Sequence, residues 1–193
     1  MNIHNEDSDM KIVGSSHFTK EDGFDVIQFV EETKLHRFNG NSAKAKALGA
    51  NIVSAFSYKA ATEELTALAK DYGIDITDSV LLQIKILTVF SAEYCIDNFL
   101  PSAMLSTVAV GELYDVLEEV SPELYNELSR SAAFSFYYLC LKGGEDKEDE
   151  CIGAQFAATC GKKDDAALAA FGAQLHRINV QVFRKAIQGF RFV

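Results

Sequence analysis

Two prolines in 193 residues leave little to interrupt a helix, and both, Pro101 and Pro122, are predicted to stand at helix starts. No uninterrupted apolar run reaches the roughly 18 residues of a membrane-crossing helix. The richest segment, Val80 to Ile96, is broken by Gln83, Lys85 and Glu93, which makes it a buried helix of a soluble bundle. The usual chemical motifs are missing as well. There is no HExxH, no Glu-x-x-His pair of the di-iron type, no GxxxxGK[ST], no GxGxxG and no GxSxG. Their absence removes the commonest zinc, di-iron, phosphate-cradle, dinucleotide and serine-nucleophile readings, so neither a metal nor a cofactor is expected.

Cysteine is sparse and has no CxxC spacing: Cys95, Cys140, Cys151 and Cys160. The opening residues, Met1 to Asp9, are acidic and lack the apolar stretch of a signal peptide. Free, buried thiols in a reducing cytoplasm are therefore expected. Positive charge is short too. The formal net charge is −10, a field that repels phosphate backbones and anionic lipid, so neither nucleic acid nor membrane is an expected partner.

What is present is apolar material, 48% of the chain, enough for one sizeable core. Residues 1–18 read as a flexible N-terminal segment, and 19–193 as a single all-α domain. Thr19-Lys20-Glu21-Asp22 resembles a capping box ahead of a first helix to about residue 38, closed by Asn39-Gly40-Asn41. An alanine-rich stretch, 42–72, carries two apolar stripes that do not align, which predicts a kink or break near 57–62. Thr77 or Asp78 starts a helix to about 98 that is apolar nearly all round, the natural centre of a core. Further helices are expected over 101–120, 122–142, 148–160 and from Asp164 or Asp165 to about Gly189. The result is a multi-helix bundle of seven or eight mostly antiparallel helices, with no register repeating at tetratricopeptide, ankyrin or armadillo periods. Alanine and glycine crowd 43–61 and 153–173, so helix axes are expected to approach closely there.

Several residues stand out of pattern. The polar face that opens the 122–142 helix turns apolar at Phe134, Tyr137 and Leu141, which requires cover from elsewhere in the chain or from a second copy. On the last helix the main core stripe is Leu168, Phe171, Leu175, Ile178 and Val182. His176 and Asn179 lie on its flank, shared with Phe183 and Ile187. Lys85 and Glu93 interrupt the central helix. If His176, Glu93 and Lys85 converge, a general acid/base site is arguable. Asn179 and Tyr94 are the polar groups that would meet a ligand held between helices. Glu32 and His36 form an i,i+4 pair that reads as a surface contact before a metal site.

From Ala166 to Val193 there is no carboxylate side chain, yet Arg177, Arg184, Lys185 and Arg191 are present. This basic face could dock an acidic protein surface, on another subunit or on a partner. The favoured expectation is a non-enzymatic interaction module that self-associates as a homodimer. Its interface would use Phe134, Tyr137, Leu141, Arg177 and Arg184. The alternatives are a bundle that holds a small apolar ligand and an enzyme using His176.

Overall fold

A computed structural model describes residues 26–56, 59–142 and 147–193. Among these, nine helices occur and no strand: α1 (Val26–Phe38), α2 (Asn41–Phe56), α3 (Lys59–Asp71), α4 (Asp78–Phe99), α5 (Ala103–Val120), α6 (Pro122–Arg130), α7 (Ala133–Leu141), α8 (Glu148–Thr159) and α9 (Ala166–Gly189). The expected N-terminal segment and the capping box of the first helix at 19–22 lie outside the described residues.

The count exceeds seven or eight because one predicted helix is two. The chain leaves helix geometry at Ser131, and the Ser131 hydroxyl oxygen accepts the Ala133 N–H at 3.1 Å just where α7 begins. The break expected near 57–62 falls in part on residues 57 and 58, which lie outside the described residues, while 59–62 are helical in α3. Thr77 caps α4 by accepting the Val80 N–H, and Asp165 caps α9 by accepting that of Leu168. Pro101 precedes α5 by two residues; Ser102 is the cap, accepting the Leu105 N–H. Gly73 and Gly161 follow helix ends with φ of 67° and 75°, a left-handed step that a Cβ would oppose.

By length and composition α4 could cross a membrane, but its apolar surface is taken up by the bundle, with Ile86, Leu87, Val89, Phe90, Ala92 and Ile96 buried. α2 packs on α5, α8 on α9, and α9 on α4. Close approach occurs where the small residues predicted it. A Cβ on Gly49 would collide with the Ala109 carbonyl oxygen of α5, and one on Gly153 with the Ala169 carbonyl oxygen of α9.

The helices are not all antiparallel to their neighbours. Asp149 meets Arg177 and Gly153 meets Ala169 and Ala173, so α8 and α9 run in opposite directions. Ser91 meets His176, Cys95 meets Val180 and Phe99 meets Arg184. Partners that advance together along both helices mean that α4 and α9 run parallel. The buried face of α9 also departs from expectation. Val182 is exposed, whereas His176, Asn179, Phe183 and Ile187 are buried. The core face is rotated toward the flank because α4 offers hydroxyls to match the two polar side chains.

Candidate functional site

The polar groups that interrupt the core resolve into two separate clusters. The first is a seam between α4 and α9. Thr88 and Ser91 each donate their hydroxyl proton to the carbonyl four residues back, Ile84 and Leu87, both at 2.8 Å. A hydroxyl has one proton, so each oxygen is left as an acceptor. Asn179 Nδ2 donates to Thr88 Oγ1 at 3.2 Å. His176 Nδ1 lies 2.9 Å from Ser91 Oγ and must carry the proton of that bond, which fixes the tautomer. The His176 ring also lies 6.0 Å from those of Phe90 and Tyr94. Burial lowers its pKa to about 4, with Asp149 acting weakly the other way. Cys95 Sγ closes the seam 3.8 Å from the Val180 carbonyl oxygen, and burial pushes its thiol up to about 12. A thiol so held is no nucleophile near neutral pH.

The second cluster centres on Glu93, 3% exposed on α4. Its two carboxylate oxygens accept from the phenols of Tyr114 on α5, at 2.5 Å, and Tyr138 on α7, at 2.7 Å. Burial raises the pKa of both tyrosines, and the neighbouring carboxylate raises them further, so both remain donors. The carboxylate thereby ties three helices together. Charge-assisted bonds of this kind compensate the desolvation that an isolated buried carboxylate would suffer.

Lys85 is exposed and joins neither cluster. His176, Glu93 and Lys85 therefore form no common site. His176 is 3% exposed and sealed by packing, which removes the acid/base arrangement considered from the sequence. Tyr94 is half-buried beside His176, and Asn179 is engaged with Thr88. A cleft of about 260 Å³ does exist, at the α4–α5 corner. It is lined by Asp97, Leu100, Pro101, Ser102, Ala103, Ser106 and Thr107, and touches none of residues 80–96.

The proposed interface residues are redistributed as well. Tyr137 is fully buried and packs against Phe90, while Phe134 and Leu141 are half-buried on the same core. The apolar stripe is thus covered by this chain. The polar-to-apolar change marks the break at Ser131, after which the helix takes a new direction. Arg177 forks onto Asp149 Oδ2 at 2.9 and 3.0 Å, and Arg184 lies 5.0 Å from the Phe99 ring centre. No family model matches the chain, and no curated protein or solved structure is similar to it.

Two features were not anticipated. Cys140 at the end of α7 and Cys151 on α8 form a disulfide, with Cα atoms 5.4 Å apart, whereas Cys95 and Cys160 are free. The expectation of four free thiols fails because α7 and α8 pack together and bring close two cysteines whose spacing carries no motif. The second is a clamp on the segment after α9. Asn41 is buried, and its side-chain amide pairs with the Val193 backbone. Its Oδ1 accepts the Val193 N–H at 3.0 Å, and its Nδ2 donates to the Val193 carbonyl at 2.5 Å. Asn39 Nδ2 donates to the same carbonyl and Lys44 Nζ to that of Arg191. Glu32 and His36 do pair, at 3.5 Å, and no cluster of three metal-ligating side chains occurs among the described residues.

Proposed function

We propose that this chain is a non-enzymatic helical interaction module that self-associates, in its simplest form as a homodimer in the cytoplasm. The observation that carries the reading is an apolar corner where the segment after α9 meets the end of α1. Phe38 is 92% exposed, Leu35 lies one turn before it, and exposed Val193 is tied to Asn39 next to it. Large apolar side chains gathered at one exposed corner favour burial against a partner. The polar residues that could have served catalysis are spent on holding helices together. A second copy is favoured over an acidic heterologous partner because Arg177 and Arg184, the cations that would meet one, already have partners within the chain.

Light scattering tests this at micromolar concentration. The expected result is a dimer mass for the wild-type chain and a monomer mass for Phe38→Ser, with helical content unchanged. A monomeric wild-type chain would overturn the reading. So would a Phe38→Ser variant that stays dimeric, because the contact would then lie elsewhere.

A further inference from the structure

The Cys140–Cys151 bond is asymmetric in a way that bears on its chemistry. Cys140 is 6% exposed, behind the end of α7, whereas Cys151 is exposed on the first turns of α8. Of the two residues, Cys151 is therefore the one open to approach by an incoming thiolate. Neither helix owes its place to the bond alone. α7 is seated by Phe134, Tyr137 and Tyr138 around Phe90, and by the Tyr138–Glu93 hydrogen bond. α8 is seated on α9 by Gly153 against Ala169 and by Phe156 against Phe171. The bond adds a tie at the far end of α7, where the chain passes toward α8. Beside Cys151, in the first turn of α8, stand three carboxylates, Glu148, Asp149 and Glu150, of which Asp149 is paired with Arg177.

We propose that Cys151 is a thiol-exchange site through which a dithiol of neutral or cationic surface opens and closes the Cys140–Cys151 bond. This inference is independent of self-association. A thiolate of the dithiol attacks Cys151 Sγ. The Cys140–Cys151 bond breaks, and Cys140 leaves as a thiolate that takes a proton from water. The second thiolate of the same dithiol then attacks its partner sulfur in the mixed disulfide, closing a disulfide on the dithiol and releasing Cys151 as a thiolate. Two electrons pass from the dithiol to this chain, and the reverse sequence restores the bond. The carboxylates disfavour an anionic thiol at Cys151 and favour a neutral or cationic one. In a reducing compartment a persisting structural disulfide is unusual, and a transient, exchangeable one is the common type.

The test uses the full chain, oxidised, exposed briefly to one of two monothiol probes; the exchange is stopped with acid, the released thiols are then alkylated with excess N-ethylmaleimide, and the peptides are mapped. The expected product carries the probe on Cys151 and the maleimide on Cys140. Probe on Cys140, or on both equally, overturns the assignment. Four alkylatable thiols in the untreated chain also overturn it. Corrected to equal thiolate concentration, cysteamine should react roughly fivefold faster than thioglycolate at low salt, the ratio shrinking as salt rises. A ratio of one removes the charge selection. After reduction, amide exchange should quicken in the last turn of α7, residues 138–142, while the α8 amides at 153–157 stay protected. Loss of protection throughout α8 and α9 would make the bond a permanent staple and overturn its role as a switch.

Discussion

Lowering the pH should destabilise this protein through His176 in a window set by one buried ring. The imidazole sits at a pKa of about 4 in the folded chain, against 6.5 when unfolded. Between those values the unfolded chain binds the additional proton, so folding stability rises with pH. The contribution is fully present above pH 6.5 and is lost as the pH falls toward 4. At 1.36 kcal/mol per pH unit, the loss relative to pH 7 is about 2 kcal/mol by pH 5 and about 3 kcal/mol by pH 4. Carboxylates titrate over the same range, so the wild-type chain alone does not isolate the effect. His176→Asn supplies the reference, because an asparagine Nδ2 can stand near the place of Nδ1 and still donate to Ser91 Oγ. Its packing cost is independent of pH and cancels in the difference. Urea unfolding of both proteins, followed by circular dichroism from pH 7.5 to 4.5, gives that difference. The stability advantage of the wild-type chain should shrink by about 2 kcal/mol between pH 7.5 and 5. An advantage constant to within about 0.5 kcal/mol would mean that His176 is not buried as a neutral ring.

Further outcomes follow from other contacts. Tyr138→Phe leaves Glu93 with one phenol donor and should cost about 1–3 kcal/mol in urea unfolding; combining it with Tyr114→Phe should cost more than the two single losses added. Gly153→Ala puts a methyl against the Ala169 carbonyl and should cost about 1–3 kcal/mol, whereas Gly189→Ala, with open space around it, should leave the melting temperature almost unchanged. Replacing both Cys140 and Cys151 by serine should lower the unfolding free energy by about 3 kcal/mol relative to the oxidised chain, with helicity at 25 °C retained. Asn41→Ala should speed amide exchange at Val193 at least tenfold, because the N–H there loses its acceptor.

Local signals proved readable where the physics is local. Thr77 and Asp165 cap the helices they were expected to start. Gly49 and Gly153 stand where small residues predicted close axes. The break at Ser131 was visible only as a polar face turning apolar. No glycine or proline marks it, and a continuous helix whose later half is covered from outside gives the same pattern. The sites were less legible because their partners are distant in sequence. Glu93 depends on Tyr114 and Tyr138, 21 and 45 residues away, and His176 on Ser91, 85 residues away. A helical wheel places a residue on a face but does not say what the facing helix offers. Thus His176 and Asn179, assigned to a flank, lie on the buried face, while Lys85, on a helix expected to be apolar nearly all round, is exposed.

The pairing of α4 with α9 also has a consequence for synthesis. Ser91 waits for His176 and Cys95 for Val180, each 85 residues later in the chain. At 5–20 residues per second, α4 emerges about 4–17 s before its partner exists. During that interval the long apolar helix at the centre of the bundle has one side without its native cover. A nascent chain halted after α8 should therefore recruit a chaperone that binds exposed apolar helix, and release it once α9 has been made.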